Sequence, residues 1–291
     1  MSEAITFGKY DHLLGVWQDS AKERRARTAV IMVTAGMLHH AGPFRLHVDL
    51  ADELAEASIP SLRFDLSGIG ESLGVGIRGR SIDRAAQEIG QAIDWIGQRS
   101  GIAQVILFGV CSGADDSLHT AVGDSRVVGV VALDGCGYRT TAYHWHRLIR
   151  RQIPRILRLS KWRQWLRRRL GLETPVPASL AMGADIREFP PQEQAALELQ
   201  SLADRGVRLH FIYTGGVDEY YNHADQFATM FPALKHNAHV SSVYFPAMDH
   251  VAFLVQDRAA LVGHIAETIG SNVEADRSTG HPSPLTAVAA C

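Results

Sequence analysis

The sequence predicts an α/β protein with a mostly parallel central sheet and helices on both of its faces. Two observations carry this expectation. Short apolar runs alternate with runs of helical period along the chain, and several of the short runs are apolar throughout, as strands buried on both faces must be. Repeated alternation of this kind gives an open α/β sheet. Ligands in such folds bind at the carboxyl ends of the strands.

Taken in order, strands are expected at residues 13–18, 28–34, 61–65, 104–109, 127–134, 207–214 and 241–246. Helices are expected at 44–57, 81–99, 111–122 and 256–269. The second helix places Ile82, Ala85, Ala86, Ile89, Ile93 and Ile96 at helical spacing. Residues 1–137 and 205–270 are expected to form the core, and 138–204 a helical cap inserted over the top of the sheet. Residues 271–291, rich in Ser, Thr, Pro and Ala, read as a disordered tail.

With 291 residues the chain holds one large domain, or one domain carrying an insertion. A composition 46% hydrophobic and 21% charged suits a soluble enzyme, and a net charge of -2 gives no global attraction to nucleic acid or membrane. The longest apolar runs, such as 29–35 and 127–133, are too short to span a bilayer. Residues 1–18 lack the basic start and apolar stretch of a signal peptide. Three widely spaced cysteines, Cys111, Cys136 and Cys291, read as reduced thiols, so a cytoplasmic location is expected.

The segment Phe108-Gly109-Val110-Cys111-Ser112-Gly113-Ala114 has the G-x-nucleophile-x-G form of a nucleophile elbow, with cysteine where serine usually stands. A strand, a tight turn and a helix would expose the Cys111 thiol at the top of the sheet. Such a turn needs small residues two positions either side of the nucleophile. Gly109 and Gly113 meet that need for Cys111, whereas Val110 would be a poor fit for Ser112.

A thiol needs a base to become a thiolate, and the base needs an orienting group. Asp218 stands just past the 207–214 strand and His250 just past the 241–246 strand, so both share an edge with Cys111. The order nucleophile, acid, histidine suits this architecture. Asp218 has rivals as the acid in Asp134, which ends a strand, and in Glu219. Asp249 and Asp65 read as structural, and Cys136 as a packing residue that could line the same pocket. Residues 74–79 match G-x-G-x-x-G, but outside a tight strand-to-helix turn, so no dinucleotide site is expected. The pair His144 and His146 lacks further ligands at suitable spacing. Neither cofactor nor metal is expected.

From about residue 13 to 269 the chain resembles the α/β-hydrolase superfamily. The resemblance rests on the elbow, on Asp218 and His250, and on Arg63-Phe64-Asp65-Leu66-Ser67-Gly68-Ile69-Gly70-Glu71-Ser72, which is similar to a common loop of that superfamily. It implies a catalytic triad of Cys111, Asp218 and His250. It also implies an oxyanion hole made by the backbone N–H groups of Ser112 and Met37, since Thr34-Ala35-Gly36-Met37 resembles the family's His-Gly-x loop, with Ala35 in place of His. The cysteine is similar to that of dienelactone hydrolases and of hydrolases associated with exosortase systems.

Between residues 135 and 172 there is no Asp or Glu, against eleven Arg and Lys, with Trp145, Trp162 and Trp165 among them. The block is either a solvated helix face or a docking surface for an acyl carrier protein, coenzyme A phosphates or an acidic membrane. No nucleic-acid motif accompanies it. The expected function is ester or thioester processing on a small-molecule substrate. Acyl transfer is an alternative, as is acyl elimination of the kind that similar proteins of tetronate pathways perform. A non-catalytic binding protein on a hydrolase fold is a further alternative.

Overall fold

A computed structural model describes residues 2–20, 27–36, 38–74, 79–152 and 189–279. Eight strands form one sheet: β1 (Ser2–Phe7), β2 (Leu13–Gln18), β3 (Thr28–Val33), β4 (Ser61–Phe64), β5 (Gln104–Val110), β6 (Val127–Leu133), β7 (Arg208–Thr214) and β8 (Val240–Phe245). Their spatial order is β1-β2-β4-β3-β5-β6-β7-β8. Strand β2 runs antiparallel to both β1 and β4, and the pairings from β4 through to β8 are parallel.

The helices are α1 (Leu46–Glu56), α2 (Ser81–Ser100), α3 (Ser112–Gly123), α4 (Thr141–Arg147), α5 (Gln192–Asp204), α6 (Gln226–Met230) and α7 (Val255–Thr279). One face of the sheet is covered by α2, α3 and α5, through Ile89, Ile93, Ala114 and Leu199 among others. The other is covered by α1 and α7, through Leu50, Leu54, Leu261 and Ile265. The strands between them are buried on both sides, and β3 has no exposed residue at all. This accounts for runs of unbroken apolar sequence where a one-sided sheet would alternate.

Three expectations shift. Strand β1 lies outside the expected set, because as an edge strand it buries only Ile5 and Phe7. Residues 192–204, expected in the insertion, form α5, whose Ala195, Leu199, Leu202 and Ala203 pack into the core on the way to β7. The start of the expected tail, 271–279, is the end of α7. The rest of that tail and most of the basic block, residues 153–188, lie outside the described residues, as do positions 75–78 of the G-x-G-x-x-G match. Among the described residues, no helix is long and apolar enough to cross a membrane.

Among the described residues, two cations of the basic block bond to backbone carbonyls of the loop after β7. Arg139 Nε donates to the Glu219 carbonyl at 2.8 Å, and an Arg150 Nη donates to the Asn222 carbonyl at 3.2 Å. With Tyr143 Oη, which donates to the carbonyls of Asp218 and Glu219, they tie α4 and the turn after it to the loop beyond β7.

Candidate active site

Strand β5 ends at Val110, and α3 begins at Ser112. Cys111 makes the turn between them with φ 55° and ψ -119°. A non-glycine residue held there costs about 1–3 kcal/mol. Val105, Ile106, Leu107 and Phe108 of the same strand are fully buried, and each such burial is worth roughly 1.5–3 kcal/mol. The strand therefore outweighs the strain of its turn. The two flanking glycines are required by contact. A Cβ on Gly109 would overlap the Gly113 carbonyl, and a Cβ on Gly113 would come within 2.5 Å of the Val33 and Thr34 carbonyls. The elbow thus sits backbone to backbone against the end of β3.

Register places a carboxylate beside Cys111. Val110 pairs with Leu133, and the Cys111 N–H donates to the Leu133 carbonyl at 2.8 Å. The residue after Leu133, Asp134, therefore stands beside Cys111, with its own N–H bonded to the Ile212 carbonyl of β7. Its carboxylate is fully buried. Oδ1 accepts from the Thr214 N–H, and Oδ2 from the Thr214 hydroxyl, each at 2.7 Å. Oδ2 also accepts from His250 Nδ1 at 2.7 Å. These donors replace the water that a buried carboxylate loses.

The acid against His250 is thus Asp134, and the expected assignment of that place to Asp218 is corrected. The reason lies in the loops. A Cβ on Gly216 would overlap the His250 backbone nitrogen, and one on Gly215 would overlap the Pro246 carbonyl. Two glycines therefore let the loop after β8 fold over the end of β7 and carry His250 across to β6. Asp218 lies beyond the short 3-10 turn Gly215–Val217, where its carbonyl accepts from Tyr143 of α4.

His250 is one-third exposed. A carboxylate only accepts, so Nδ1 carries the hydrogen and Nε2 is left to face Cys111. The bond to Asp134, and after it a hydrogen bond to Cys111, push the His250 pKa from 6.5 up to about 10 against the opposing effect of burial. Neither Cys111 nor Cys136 is in a disulfide.

The loop after β3 is held at two points. The Gly36 N–H donates to Ser112 Oγ at 2.8 Å. His40 donates to Asp65 through its N–H at 2.5 Å and its Nδ1 at 3.0 Å. Asp65 is fully buried and also accepts from the Glu71 N–H at 3.0 Å. Burial opposes its ionisation, but the His40 and Glu71 bonds more than offset this and hold its pKa below the ordinary value. Asp65, read from the sequence as structural, thus joins two loops. Met37, the expected second oxyanion donor, lies outside the described residues. Ser112 opens α3, where no carbonyl one turn back is available to its N–H.

A cleft of about 950 Å³ opens beside Cys111, with Leu66, Ile69, Ser112, Cys136, Phe189 and Leu199 in its walls. This is the size of a small-molecule site. Cys136, expected to be a packing residue, is buried but reaches this cleft. Among the described residues, no group of three or more His, Cys, Asp or Glu side chains is arranged to hold a metal.

No family model matches the sequence, and no curated protein matches it either. Solved structures do match. An esterase from Pyrococcus furiosus aligns with TM-score 0.58 at 13% identity, over 92% of this chain and 89% of its own. An α/β hydrolase from Penicillium sp. sh18 aligns with TM-score 0.56 at 16% identity, over 94% and 99%. A proline iminopeptidase from Mycobacterium smegmatis aligns with TM-score 0.55 at 15% identity, over 95% and 100%. The chain has the α/β-hydrolase fold. At these identities the likeness establishes architecture, and chemistry has to be argued from the site.

Proposed function

We propose that this protein is an acyl-processing enzyme, acting on an ester or thioester through Cys111, His250 and Asp134. The observation that carries the reading is the chain of contacts from a strained, elbow-borne thiol through His250 to a fully buried carboxylate. In this proposal Asp134 takes the orienting role that the sequence assigned to Asp218.

His250 Nε2 takes the Cys111 proton as the thiol reacts, and Asp134 stabilises the imidazolium that results. The sulfur attacks the carbonyl carbon, and the carbonyl π electrons move to oxygen. The Ser112 N–H and a second N–H from the loop after β3, assigned to Met37, receive that oxyanion. Such donors are worth roughly 3–4 kcal/mol each. As the tetrahedral species collapses, the bond to the leaving group breaks and His250 passes its proton to that group. A thioester on Cys111 remains, and His250 is now neutral. It takes a proton from water, the hydroxide attacks the thioester, and the acid leaves as the Cys111 sulfur is released. The substrate is a small molecule that fits the cleft. Its presentation on an acyl carrier protein or coenzyme A, through the basic block, belongs to the same proposal.

Cys111→Ala is expected to abolish turnover of a simple ester such as p-nitrophenyl acetate, and full activity in that variant would contradict the mechanism. A thioester also accepts amines, alcohols or thiols. Reaction in oxygen-18 water distinguishes the outcomes: hydrolysis places the label in the released acid, and transfer or elimination does not.

A further inference from the structure

The cleft extends well beyond the thiol. One wall follows α3 through Ser112, Asp115, His119 and Val122, whose spacing of three or four residues sets them on one face of that helix. A second wall is the start of α2, through Arg84 and Glu88, one turn apart. His119 Nε2 meets Asp83 of α2 at 3.2 Å, so the two helices are joined at the level of His119. That level is about 12 Å from Cys111 along α3, at the rise of an α-helix.

Among the described residues, the charged side chains of these walls have partners, with one exception. Arg80 forks onto Asp83 through two bonds of 2.9 Å, and Asp83 also takes His119. Glu88 accepts from the Ser67 N–H at 2.8 Å, and Glu198 accepts from the Gln194 amide at 2.8 Å. Asp115 and Asp116 have contacts of their own. The exception is Arg84, which is partly buried in the cleft wall with no carboxylate or carbonyl on its guanidinium. Its neighbour Asp83 is already held from two sides, and Glu88 is tied to the loop after β4. A guanidinium offers five donors in a planar fork that matches two oxygens of one anion.

We infer that Arg84 is a specificity-determining residue, which receives an anionic group that the substrate carries far from its scissile carbonyl. The inference rests on the acyl-processing reading. The group is a carboxylate or phosphate, whose paired oxygens fit the fork. Its source is either a carboxylate at the far end of the acyl chain or a phosphate of a coenzyme A leaving group. Leu118, Ala195 and Leu199 in the same walls suit the methylenes of such a molecule.

The test measures kcat/KM on two matched pairs, in the unaltered protein, Arg84→Gln and Arg84→Glu. Mono-p-nitrophenyl suberate against p-nitrophenyl octanoate places the anion on the acyl group. Acetyl-coenzyme A against S-acetyl-N-acetylcysteamine places it on the leaving group. The unaltered protein is expected to prefer the anionic member of one pair by about 10- to 100-fold, as a hydrogen-bonded charge pair provides. The pair that shows the preference identifies the source. Arg84→Gln is expected to abolish that preference and Arg84→Glu to reverse it, with the neutral members turned over within about twofold of the unaltered rate. A preference that survives both substitutions would overturn the inference, as would its absence from both pairs in the unaltered protein. So would an equal loss on the neutral members, which marks damage to the cleft rather than lost recognition. Turnover of p-nitrophenyl octanoate retained in Cys111→Ala would instead overturn the functional reading, whatever Arg84 does.

Discussion

His250 connects a partly exposed thiol to a buried carboxylate, and its titration reports on both. Because the Asp134 bond is the largest cause of its raised pKa, Asp134→Asn is expected to bring the His250 pKa down from about 10 toward 6.5. The imidazole resonances followed by NMR across that pH range would show it. The same variant is expected to lower kcat by roughly 100- to 10,000-fold, because the amide no longer holds the working tautomer. Asp218→Asn should leave the His250 pKa near that of the unaltered protein and kcat within a few fold of it. The residue-scale error in the sequence reading has a physical origin. Asp134 and Asp218 each follow a strand and each precede His250 in the chain, so spacing does not separate them. What separates them is which strand lies beside β5, and strand order is a property of the sheet.

The elements themselves are largely legible in the sequence. Strands buried on both faces announce themselves as unbroken apolar runs, and β3, β5 and β6 emerge within a residue or so of their expected bounds. The elbow is legible from Gly109 and Gly113 alone, because backbone contact leaves no alternative residue. Less legible are elements whose burial is one-sided or supplied from afar. The apolar positions of α5 do follow helical spacing, at Ala195, Leu199 and Leu202, but they adjoin a basic block that draws the whole stretch into the insertion. Gly215 and Gly216 carry no visible signal, since their purpose is to admit a loop from another strand. Gly216→Ala is accordingly expected to cost stability, by about 1–3 kcal/mol if the loop gives way. It should also lower activity, because the displaced backbone is that of His250. Urea denaturation, read beside kcat, would show both losses. Gly263→Ala is the control, since a Cβ there meets nothing.

At the scale of the whole molecule, histidines set opposite limits on stability. Burial pushes the His47 pKa down to about 3 and the His210 pKa to about 4. Both bind protons less readily folded than unfolded, so their contribution is complete above the ordinary value of 6.5 and is lost as pH falls from there toward 4 and below. His250 behaves conversely. Its contribution is present below 6.5 and is lost as pH rises through about 10. His223 and His264 are lowered in the same direction as His47 and His210, so four histidines act on the acid limb against a single, partly exposed one on the alkaline limb, and the acid limb should be the steeper. Thermal melts from pH 4 to 10 are expected to give a maximum near neutrality. His47→Phe should flatten the acid limb, and Asp134→Asn the alkaline one.

The fold is shared with proteins whose names span an esterase and a peptidase, so the claim that matters is the chemistry of the elbow and its partners. The most direct measurement is the rate at which p-nitrophenyl acetate acetylates the protein, followed by intact mass with peptide mapping, in the unaltered protein, Asp134→Asn and Asp218→Asn. One acetyl group is expected on Cys111, formed roughly 100-fold or more slowly in Asp134→Asn and at a nearly unchanged rate in Asp218→Asn. Acetylation elsewhere than Cys111, or a loss in Asp218→Asn that Asp134→Asn does not share, would contradict it.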